Sequence, residues 1–319
     1  MFVLGGAGYL GYQALVAADA KGYQVKTVDI NPLHPELVQP DHFEFIQADL
    51  FKMSDQEIIN ILADCQGFIY AGGVDERIVP QYPAHKFFYE QNVLPTQRLA
   101  RLARQAGVTS FVVFGSYYSQ VAQDRPEIGI QQYPYVNTRL LQEQVAMAEG
   151  YDQMAVSVLR LPRIYGTMPG KIPLWKMFTD VVRGQDYYPA ATGVHPYITA
   201  KQVGQAAISA LELADHRTCY ACATGQHSDQ QYLLWTLEAL GQVKTTRLEV
   251  VPYVDQKSQL EALDQASYDQ GLEHGMPIAV SGYLNSLDLS LDPEESIKTL
   301  QLIPENGQAV IKETLAETD

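Results

Sequence analysis

The sequence predicts an α/β fold built on a doubly wound parallel sheet, with a smaller, mixed C-terminal lobe. In the first half, short apolar strands alternate with helices of ten or more residues, and a glycine-rich turn follows the first strand. This alternation ends after Leu161. Alternating strands and helices form parallel units, and right-handed connections place the helices on both faces of the sheet. We therefore expect a sheet domain at 1–160 and mainly a second lobe at 161–319.

The predicted elements of the first half follow one another along the chain. Strands are predicted at 2–4, 24–30, 43–46, 67–70, 111–114 and 155–159. Helices are predicted at 10–20, 55–62, 90–105 and 137–149. Ser54 with Glu57 three residues later predicts a capping box, and Gly22 follows the first helix, where glycine commonly ends one. A later apolar helix, 200–213, is expected to pack back on the main sheet.

Composition and charge narrow the class of partner. The chain of 319 residues carries a formal net charge of −15, with 46% hydrophobic and 18% charged residues. A surface this negative repels phosphate backbones, so we expect no nucleic-acid partner. No apolar run approaches the roughly 18–20 residues of a membrane-spanning helix, so we expect no membrane partner. The prediction is a cytoplasmic protein that binds a small molecule.

The cysteines and histidines give no sign of a metal or a disulfide framework. Cys65, Cys219 and Cys222 are few and odd in number, which fits a reducing compartment. Cys219 and Cys222 form a C-x-x-C, but no second Cys or His pair stands at zinc spacing, so we interpret them as neighbours in a short strand. We assign no metal, and we interpret His195 as an ordinary loop residue near the second lobe.

Three glycines form the first turn of the chain. Gly5, Gly8 and Gly11 are spaced by three residues between the first strand and the first helix. Glycine permits the tight turn, the approach of backbone to a pyrophosphate, and close packing of helix on sheet. The N–H groups that open the helix then face the phosphates. The turn therefore predicts a dinucleotide site, with Tyr9 and Leu10 among its contacts.

An acidic residue ends the second predicted strand. Asp29 lies 21 residues after Gly8, where a carboxylate accepts hydrogen bonds from the adenosine ribose hydroxyls. A carboxylate there repels a 2′-phosphate, so we predict NAD rather than NADP. The alternative is that Asp29 only shapes the turn ahead of Asn31 and Pro32.

The three-residue glycine spacing resembles the extended short-chain dehydrogenase/reductase superfamily, and within it the NAD-dependent epimerase/dehydratase family. Other segments resemble motifs of that family in the same order along the chain. They are Asp49-Leu50, Ala71-Gly72-Gly73, Asn92-Val93 with Thr96, 111–116 ending in Ser116, the box from Tyr135 to Arg139, and 159–166. The resemblance implies a Rossmann-type NAD-binding domain at 1–160 and a substrate-binding lobe at 161–319.

The resemblance also implies roles for single residues. It implies cofactor contacts for Asp49, Leu50, Ala71, Gly72, Gly73, Tyr135, Arg139, Pro162 and Ile164. It implies catalytic roles for Ser116, Tyr135, Arg139 and Asn92. Tyr135 would move a proton at the substrate oxygen, which a tyrosine does well only if its pKa falls from about 10 toward neutrality. Ser116 would hydrogen-bond that oxygen, and Asn92 could hold a water for proton transfer.

Arg139 stands where the family has lysine. Arginine keeps the positive charge and several donors, so Arg139 could still lower the pKa of Tyr135 and bind ribose hydroxyls. It cannot give up a proton at working pH, so a proton relay through this position is lost. Two hypotheses follow: an NAD-dependent epimerase- or dehydratase-like oxidoreductase, or an NAD(P)-binding sensor or scaffold with little or no turnover.

The second lobe gives only a weak indication of the substrate. It mixes aromatic and basic residues, namely Lys171, Trp175, Lys176, Arg183, Tyr187 and Tyr188. In the family such a region accepts a nucleotide diphosphate, although solvated surface charge explains the same residues. We expect the enzyme to act on a hydroxyl or ketone group of a sugar-like substrate, such as a nucleotide sugar. The resemblance also implies a homodimer formed through helices 90–105 and 137–149.

Overall fold

The computed structural model describes residues 1–37 and 42–317. The described strands are β1 (Phe2–Leu4), β2 (Val25–Asp29), β3 (Phe43–Gln47), β4 (Gly67–Tyr70), β5 (Ser110–Ser116), β6 (Ala155–Leu161), β7 (Arg163–Tyr165), β8 (Tyr187–Ala190), β9 (Val194–Thr199), β10 (Thr218–Ala221), β11 (Gly225–Ser228) and β12 (Arg247–Val250). The described α-helices are α1 (Tyr9–Ala20), α2 (Asp55–Leu62), α3 (Ala84–Phe88), α4 (Leu94–Gln105), α5 (Tyr117–Asp124), α6 (Pro134–Gly150), α7 (Lys176–Val182), α8 (Ala200–Leu213), α9 (Asp229–Ala239), α10 (Tyr253–Asp269), α11 (Ile278–Asn285), α12 (Pro293–Thr299) and α13 (Gly307–Ala316).

Seven parallel strands form the main sheet, in the order β10-β6-β5-β4-β1-β2-β3. The chain runs outward from β1 to β3 and then crosses to β4 on the other side of β1. A sheet with this reversal opens a crevice at the carboxyl ends of the two central strands. The predicted fold class, a Rossmann-type doubly wound sheet, is confirmed.

Helices cover both faces of this sheet. On one face α1 and α8 bury Leu15 and Val203 in a common core. On the other face α2, α4 and α6 contribute Ile58, Leu99 and Ala146 to a second core. Helix α8 has the predicted bounds and packs directly on α1.

One buried ion pair holds α6 against β6. Arg160 Nη2 lies 2.6 Å from Glu143 Oε2, and Nε lies 3.1 Å from Oε1. The side chains are only 2% and 5% exposed, and a third nitrogen of Arg160 donates to Gln120 and Gln123 on α5. Removing one partner of a buried ion pair strongly destabilises the fold, because the other charge is left buried and uncompensated. The pair therefore fixes the helix that carries Tyr135.

Several predicted boundaries are confirmed and others move by one to four residues, two of them next to predicted catalytic residues. Strand β4 has the predicted bounds, and both bonds of the Ser54–Glu57 capping box are present. Helix α6 begins at Pro134, three residues earlier than predicted, because the fixed φ of proline suits the first helical turn. Strand β5 runs on to Ser116, where α5 follows at once. Both shifts place predicted catalytic residues at the ends of rigid elements.

The later part of the chain adds one strand to the main sheet and forms two small sheets of its own. Strand β10 pairs with β6, and the small sheets are β11-β9-β7 and β12-β8. The three cysteines are free thiols. His195 lies inside β9 and is 5% exposed, so its interpretation as a loop residue was wrong. Within 1–37 and 42–317, no helix is both long and apolar enough to cross a membrane.

Candidate active site

A cavity of about 1110 Å³ opens at the carboxyl ends of β1, β4, β5 and β6 and extends to the small sheets. The predicted site residues that line it are Gly8, Tyr9, Leu10, Gly11, Ala71, Gly72, Gly73, Ser116, Tyr135, Arg139, Pro162 and Ile164. Gly5, Asp29, Asp49, Leu50 and Asn92 are outside its lining. The fold thus brings together the glycine turn and the predicted catalytic residues.

The glycine turn has the geometry of a phosphate-binding turn. Gly5 has a φ of +83°, and the Gly8 N–H donates to the Gly5 carbonyl over 2.9 Å. A Cβ on Gly11 would lie 2.0 Å from that same carbonyl oxygen, so only glycine fits there. No described side chain caps the N-terminus of α1, and its first turn holds no acidic residue. Its N–H groups and positive dipole end are therefore available to an anion in the cavity.

Asp29 supports the glycine turn through a hydrogen bond to its backbone. Its Oδ2 accepts the Ala7 N–H over 3.0 Å, and its Oδ1 accepts the Asn31 N–H over 2.8 Å. The turn-shaping alternative is therefore part of its role. Oδ1 also accepts the Asn31 side-chain amide over 3.4 Å, so Oδ2 is the oxygen with capacity for a further hydrogen bond, and ribose recognition stays a prediction.

Asp49 and Leu50 lie beside the sheet in structural positions. Asp49 accepts the Phe51 N–H over 3.1 Å at the start of a short 3-10 turn, and it pairs with Lys52 at 3.1 Å. Leu50 is 2% exposed and belongs to the core under α2. Their predicted adenine contacts stay predictions.

Asn92 anchors the loop that follows β4. Its Oδ1 accepts the Val74 N–H over 2.9 Å, and its Nδ2 donates to the Val74 carbonyl over 3.0 Å. Asn92 is fully buried in a π-helical segment, Tyr89–Val93, between α3 and α4. Since both ends of its amide bond to the loop, the structure shows a positioning function, and its proposed water-holding role stays a prediction.

Ser116 and Tyr135 approach one another across the cavity. Ser116 ends β5, and its Oγ accepts the Tyr118 N–H over 3.2 Å as the N-cap of α5. Tyr135 lies in the first turn of α6, is 3% exposed, and donates its backbone N–H to Gly275 over 2.8 Å. Burial raises the pKa of the Tyr135 hydroxyl, whereas the Arg139 charge and a hydrogen bond with Ser116 oppose that rise.

Arg139 brings a buried positive charge to the same place. Its Nη2 donates to the Phe114 carbonyl over 2.5 Å, and its guanidinium carbon lies 5.7 Å from the Tyr135 ring centre. The residue is 6% exposed, makes no ion pair with the described residues, and has an Nε without a hydrogen-bond partner. A buried donor without a partner is unfavourable, so this group is suited to a ligand that brings acceptors.

Glu76 is an acidic residue of the cavity that sequence reasoning missed. It lines the wall with Tyr118, Tyr135 and Arg139, whereas its neighbours Asp75 and Arg77 pair with each other. Burial raises the pKa of Glu76, and the Arg139 charge opposes that rise. The available sequence signal is the acidic pair Asp75-Glu76 that follows Gly72 and Gly73, to which no role is assigned from the sequence.

The far end of the cavity is a second polar region. It is lined by Arg163, His195, Asp229 and Asn285, none of which was predicted as a site residue. Arg163 Nη2 donates to Asn285 Oδ1 over 3.1 Å, and Nη1 lies 4.0 Å from Asp229 Oδ1. These residues come from β7, β9, α9 and α11, so their proximity arises only from the tertiary fold.

The aromatic and basic residues predicted for the lobe separate into two groups. Lys171, Trp175 and Tyr188 line the cavity. Lys176 and Arg183 contact Asp180 on α7, and Tyr187 lies under Arg247, so these three are outside the lining.

Comparison with known proteins defines the class of this chain. A fold and cavity of this kind are those of a dinucleotide-dependent enzyme of the extended short-chain dehydrogenase/reductase type. The model of the NAD dependent epimerase/dehydratase family matches residues 1–219, and the chain belongs to that family. This confirms the predicted family, its enzyme class and NAD as its cofactor.

Solved structures with the same fold include several nucleotide-sugar enzymes. MoeE5, solved with UDP-glucuronic acid and NAD, is 18% identical with a TM-score of 0.67, over 99% of this chain and 97% of that one. The UDP-N-acetylglucosamine 4-epimerase of Bacillus cereus is 13% identical with a TM-score of 0.68, over 98% and 94%. DesIV, the dTDP-glucose 4,6-dehydratase of Streptomyces venezuelae, is 15% identical with a TM-score of 0.67, over 99% and 95%. At these identities the likeness shows the fold alone, and no curated protein sequence matches the chain.

Proposed function

We propose that this chain is an NAD-dependent oxidoreductase of the epimerase/dehydratase type that acts on a hydroxyl or ketone of a sugar-like substrate. One observation carries the proposal: Ser116, Tyr135 and Arg139 line the same cavity as an uncapped glycine-turn helix. Nucleotide sugars are the substrates to test first, since MoeE5 and DesIV were solved with such ligands or their nucleotides.

The residues present suit NAD. The N-terminus of α1 would hold the pyrophosphate, Asp29 the adenosine ribose, and Arg139 the second ribose through its unpartnered Nε. Pro162 and Ile164, in the segment after β6, would lie beside the nicotinamide. NAD, when bound, supplies the acceptor and donor of a hydride.

The chain's own residues would move the proton. Tyr135 would accept or donate it at the substrate oxygen, and Ser116 would donate a hydrogen bond to the same oxygen as charge develops there. Arg139 would lower the pKa of Tyr135 by its charge but cannot itself relay the proton. Glu76 lines the same wall, and together with burial its charge raises the pKa of Tyr135.

Cofactor binding and substrate binding are assigned to different parts of the chain. We propose that residues 1–160, with α8 packed on them, bind NAD, and that 161–319 mainly bind the substrate. The homodimer and the cytoplasmic location stay predictions; light scattering of the purified protein tests the first, and the reporter-tagged full chain in cells tests the second.

A second candidate function is an NAD-binding sensor with little turnover. The observation that favours it is the buried Tyr135 hydroxyl, whose pKa is raised although Arg139 lies over its ring. A phenol that holds its proton this tightly is a poor base at neutral pH.

A turnover assay separates the two candidates. NAD-saturated protein is mixed with a panel of UDP- and dTDP-sugars, and nicotinamide absorbance and product isomers are followed. The enzyme proposal predicts conversion of at least one member, lost in Tyr135→Phe and retained in Tyr133→Phe, whose hydroxyl is outside the cavity lining. Tight NAD binding without conversion of any member, with no gain from Arg139→Lys, would favour the sensor.

A further inference from the structure

A fully buried polar side chain of α6 lies behind the site, and the proposed function does not use it. Gln142 lies two turns after Tyr135, and its Nε2 donates to Thr96 Oγ1 on α4 over 2.8 Å. Both Gln142 and Thr96 are 0% exposed. The buried face of a helix is ordinarily apolar, and a buried polar group is there to make hydrogen bonds. A glutamine at this position therefore requires an explanation beyond packing.

The contact with Thr96 continues as a line of hydrogen bonds to the cavity wall. Thr96 Oγ1 donates to the Asn92 carbonyl over 2.7 Å, and the Asn92 side chain bonds both backbone groups of Val74 at 2.9 and 3.0 Å. Asn92 is fully buried in the π-helical segment Tyr89–Val93, a conformation that is frequent at functional sites. The line therefore connects α6 to the loop that follows β4.

The direction of each bond in this line is fixed. A hydroxyl has one hydrogen, and that of Thr96 goes to the Asn92 carbonyl, so Thr96 Oγ1 can only accept from Gln142. The amide nitrogen of Gln142 must therefore face Thr96, which leaves Oε1 without a hydrogen-bond partner in the described structure. A buried acceptor without a partner is unfavourable for stability. For the fold alone, an apolar side chain would suit position 142 at least as well.

The loop at the other end of the line lies against Arg139. Gly73, next to Val74, has a φ of +127°, and a Cβ placed on it would lie 2.9 Å from Asn92 Oδ1 and 3.9 Å from Arg139 Nη1. Gly73 and Val74 also line the cavity. The position of this loop therefore determines the space around the Arg139 guanidinium and around a dinucleotide in the cavity.

We propose that Gln142 is a positioning residue for NAD binding: through Thr96 and Asn92 it holds the loop after β4 in place, so that the loop backbone and Arg139 keep the spacing that the dinucleotide requires. Gln142 is itself outside the cavity lining, so it acts only through other side chains. The proposal rests on the proposed function in one respect, because it takes Arg139 and this cavity as part of the NAD site.

Calorimetric titration of the full chain with NAD tests this role. In Gln142→Met the bond to Thr96 is lost, so NAD should bind about fivefold more weakly, the effect of one neutral buried hydrogen bond. The unpartnered Oε1 is removed by the same change, so the midpoint of urea unfolding should stay at the wild-type value or rise. A residue that served the fold alone would show the reverse, a lower unfolding midpoint with wild-type NAD affinity, and that result overturns the proposal.

Variants of Thr96 test the same line independently and decide the matter if Gln142→Met does not fold. Thr96→Val removes the hydroxyl and should weaken NAD binding by the same factor, with no further loss in the double variant, because both changes break one line. Thr96→Ser keeps the hydroxyl and should bind NAD like the wild type. The matched control is Thr314→Val on α13. Thr314 is 1% exposed, and its Oγ1 donates to the carbonyl four residues earlier, at Val310, over 2.7 Å, so its loss should leave NAD affinity unchanged.

Three other results would each overturn the proposal: wild-type NAD affinity in Thr96→Val, additive losses in the double variant, or weakened binding in Thr96→Ser. No sugar is present in these titrations. A failed turnover assay together with the expected pattern of NAD affinities therefore contradicts the proposed function and leaves the positioning role of Gln142 standing.

Discussion

The guanidinium carbon of Arg139 lies 5.7 Å from the ring centre of Tyr135, one turn along the same helix. The arginine is therefore close enough for its charge to act on the phenol, and its Nη2 is fixed by the Phe114 carbonyl. Burial and this charge act on the pKa of Tyr135 in opposite directions, with burial the larger. In the proposed function, the balance between them sets how readily Tyr135 exchanges a proton with the substrate.

Removing the Arg139 charge should impair catalysis. In Arg139→Met the pKa of Tyr135 rises further, and kcat should fall roughly a hundredfold, within the usual range for general acid–base catalysis. Arg139→Lys keeps the charge and should retain or increase kcat. The control is Arg104→Met, which removes a similar contact with the Tyr151 ring on the surface. Equal kcat values for wild type and Arg139→Met would contradict this role.

Asp29 should determine the preference between the two dinucleotides. In Asp29→Asn the negative charge that repels a 2′-phosphate is lost, so NADP affinity should rise relative to NAD by about tenfold. The amide oxygen cannot replace both carboxylate oxygens at Ala7 and Asn31, so stability should fall by about 1 kcal/mol. Calorimetric titration with each dinucleotide measures the ratio. Asp64→Asn, an exposed site at the other end of the sheet, should leave that ratio unchanged.

A methyl group on Gly11 should weaken NAD binding. The Cβ of Gly11→Ala would meet the Gly5 carbonyl oxygen at 2.0 Å, which pushes α1 away from the turn. We expect a loss of about 1–3 kcal/mol in stability and a clear drop in NAD affinity. Gly22→Ala, at the other end of α1, meets no atom within 4 Å but has a φ of +76°. Gly22→Ala should lower stability through backbone strain and leave NAD affinity intact. Equal NAD affinities in the Gly11→Ala and Gly22→Ala variants would contradict the role of the glycine turn in NAD binding.

Acid should destabilise the fold through two buried histidines. The pKa values of His195 and His227 are lowered from 6.5 to about 2 and about 3, mainly by burial. The unfolded chain therefore binds more protons below pH 6.5, and the stability present above that pH is lost as the pH falls. Each histidine contributes a slope of about 1.4 kcal/mol per pH unit. Urea unfolding between pH 7 and pH 5 measures the slope, which should become smaller in His195→Gln; a flat profile would contradict the burial of these rings.

The sequence was sufficient for the sheet and the cofactor turn because those signals are local. The glycine turn, the apolar strands and the Ser54–Glu57 capping box each depend on residues that lie only a few positions apart in the sequence. Ser116 and Tyr135 were predicted from the family resemblance, and the structure places them at the end of β5 and in the first turn of α6.

The rest of the site depends on tertiary proximity that no local pattern reports. Arg163, His195, Asp229 and Asn285 come from four elements and meet only where the small sheets fold over the main one. Asn92 was predicted as a site residue, but its bonds to Val74 could not be foreseen, because they depend on how the loop after β4 folds back.

Titration of the wild-type chain with NAD and with NADP tests the central claim most directly. The uncapped helix at the glycine turn, the unpartnered Arg139 Nε and Asp29 together predict submillimolar NAD binding and NADP binding at least about tenfold weaker. The heat of binding in a calorimeter measures both. Failure of both dinucleotides to bind at millimolar concentration would contradict the account.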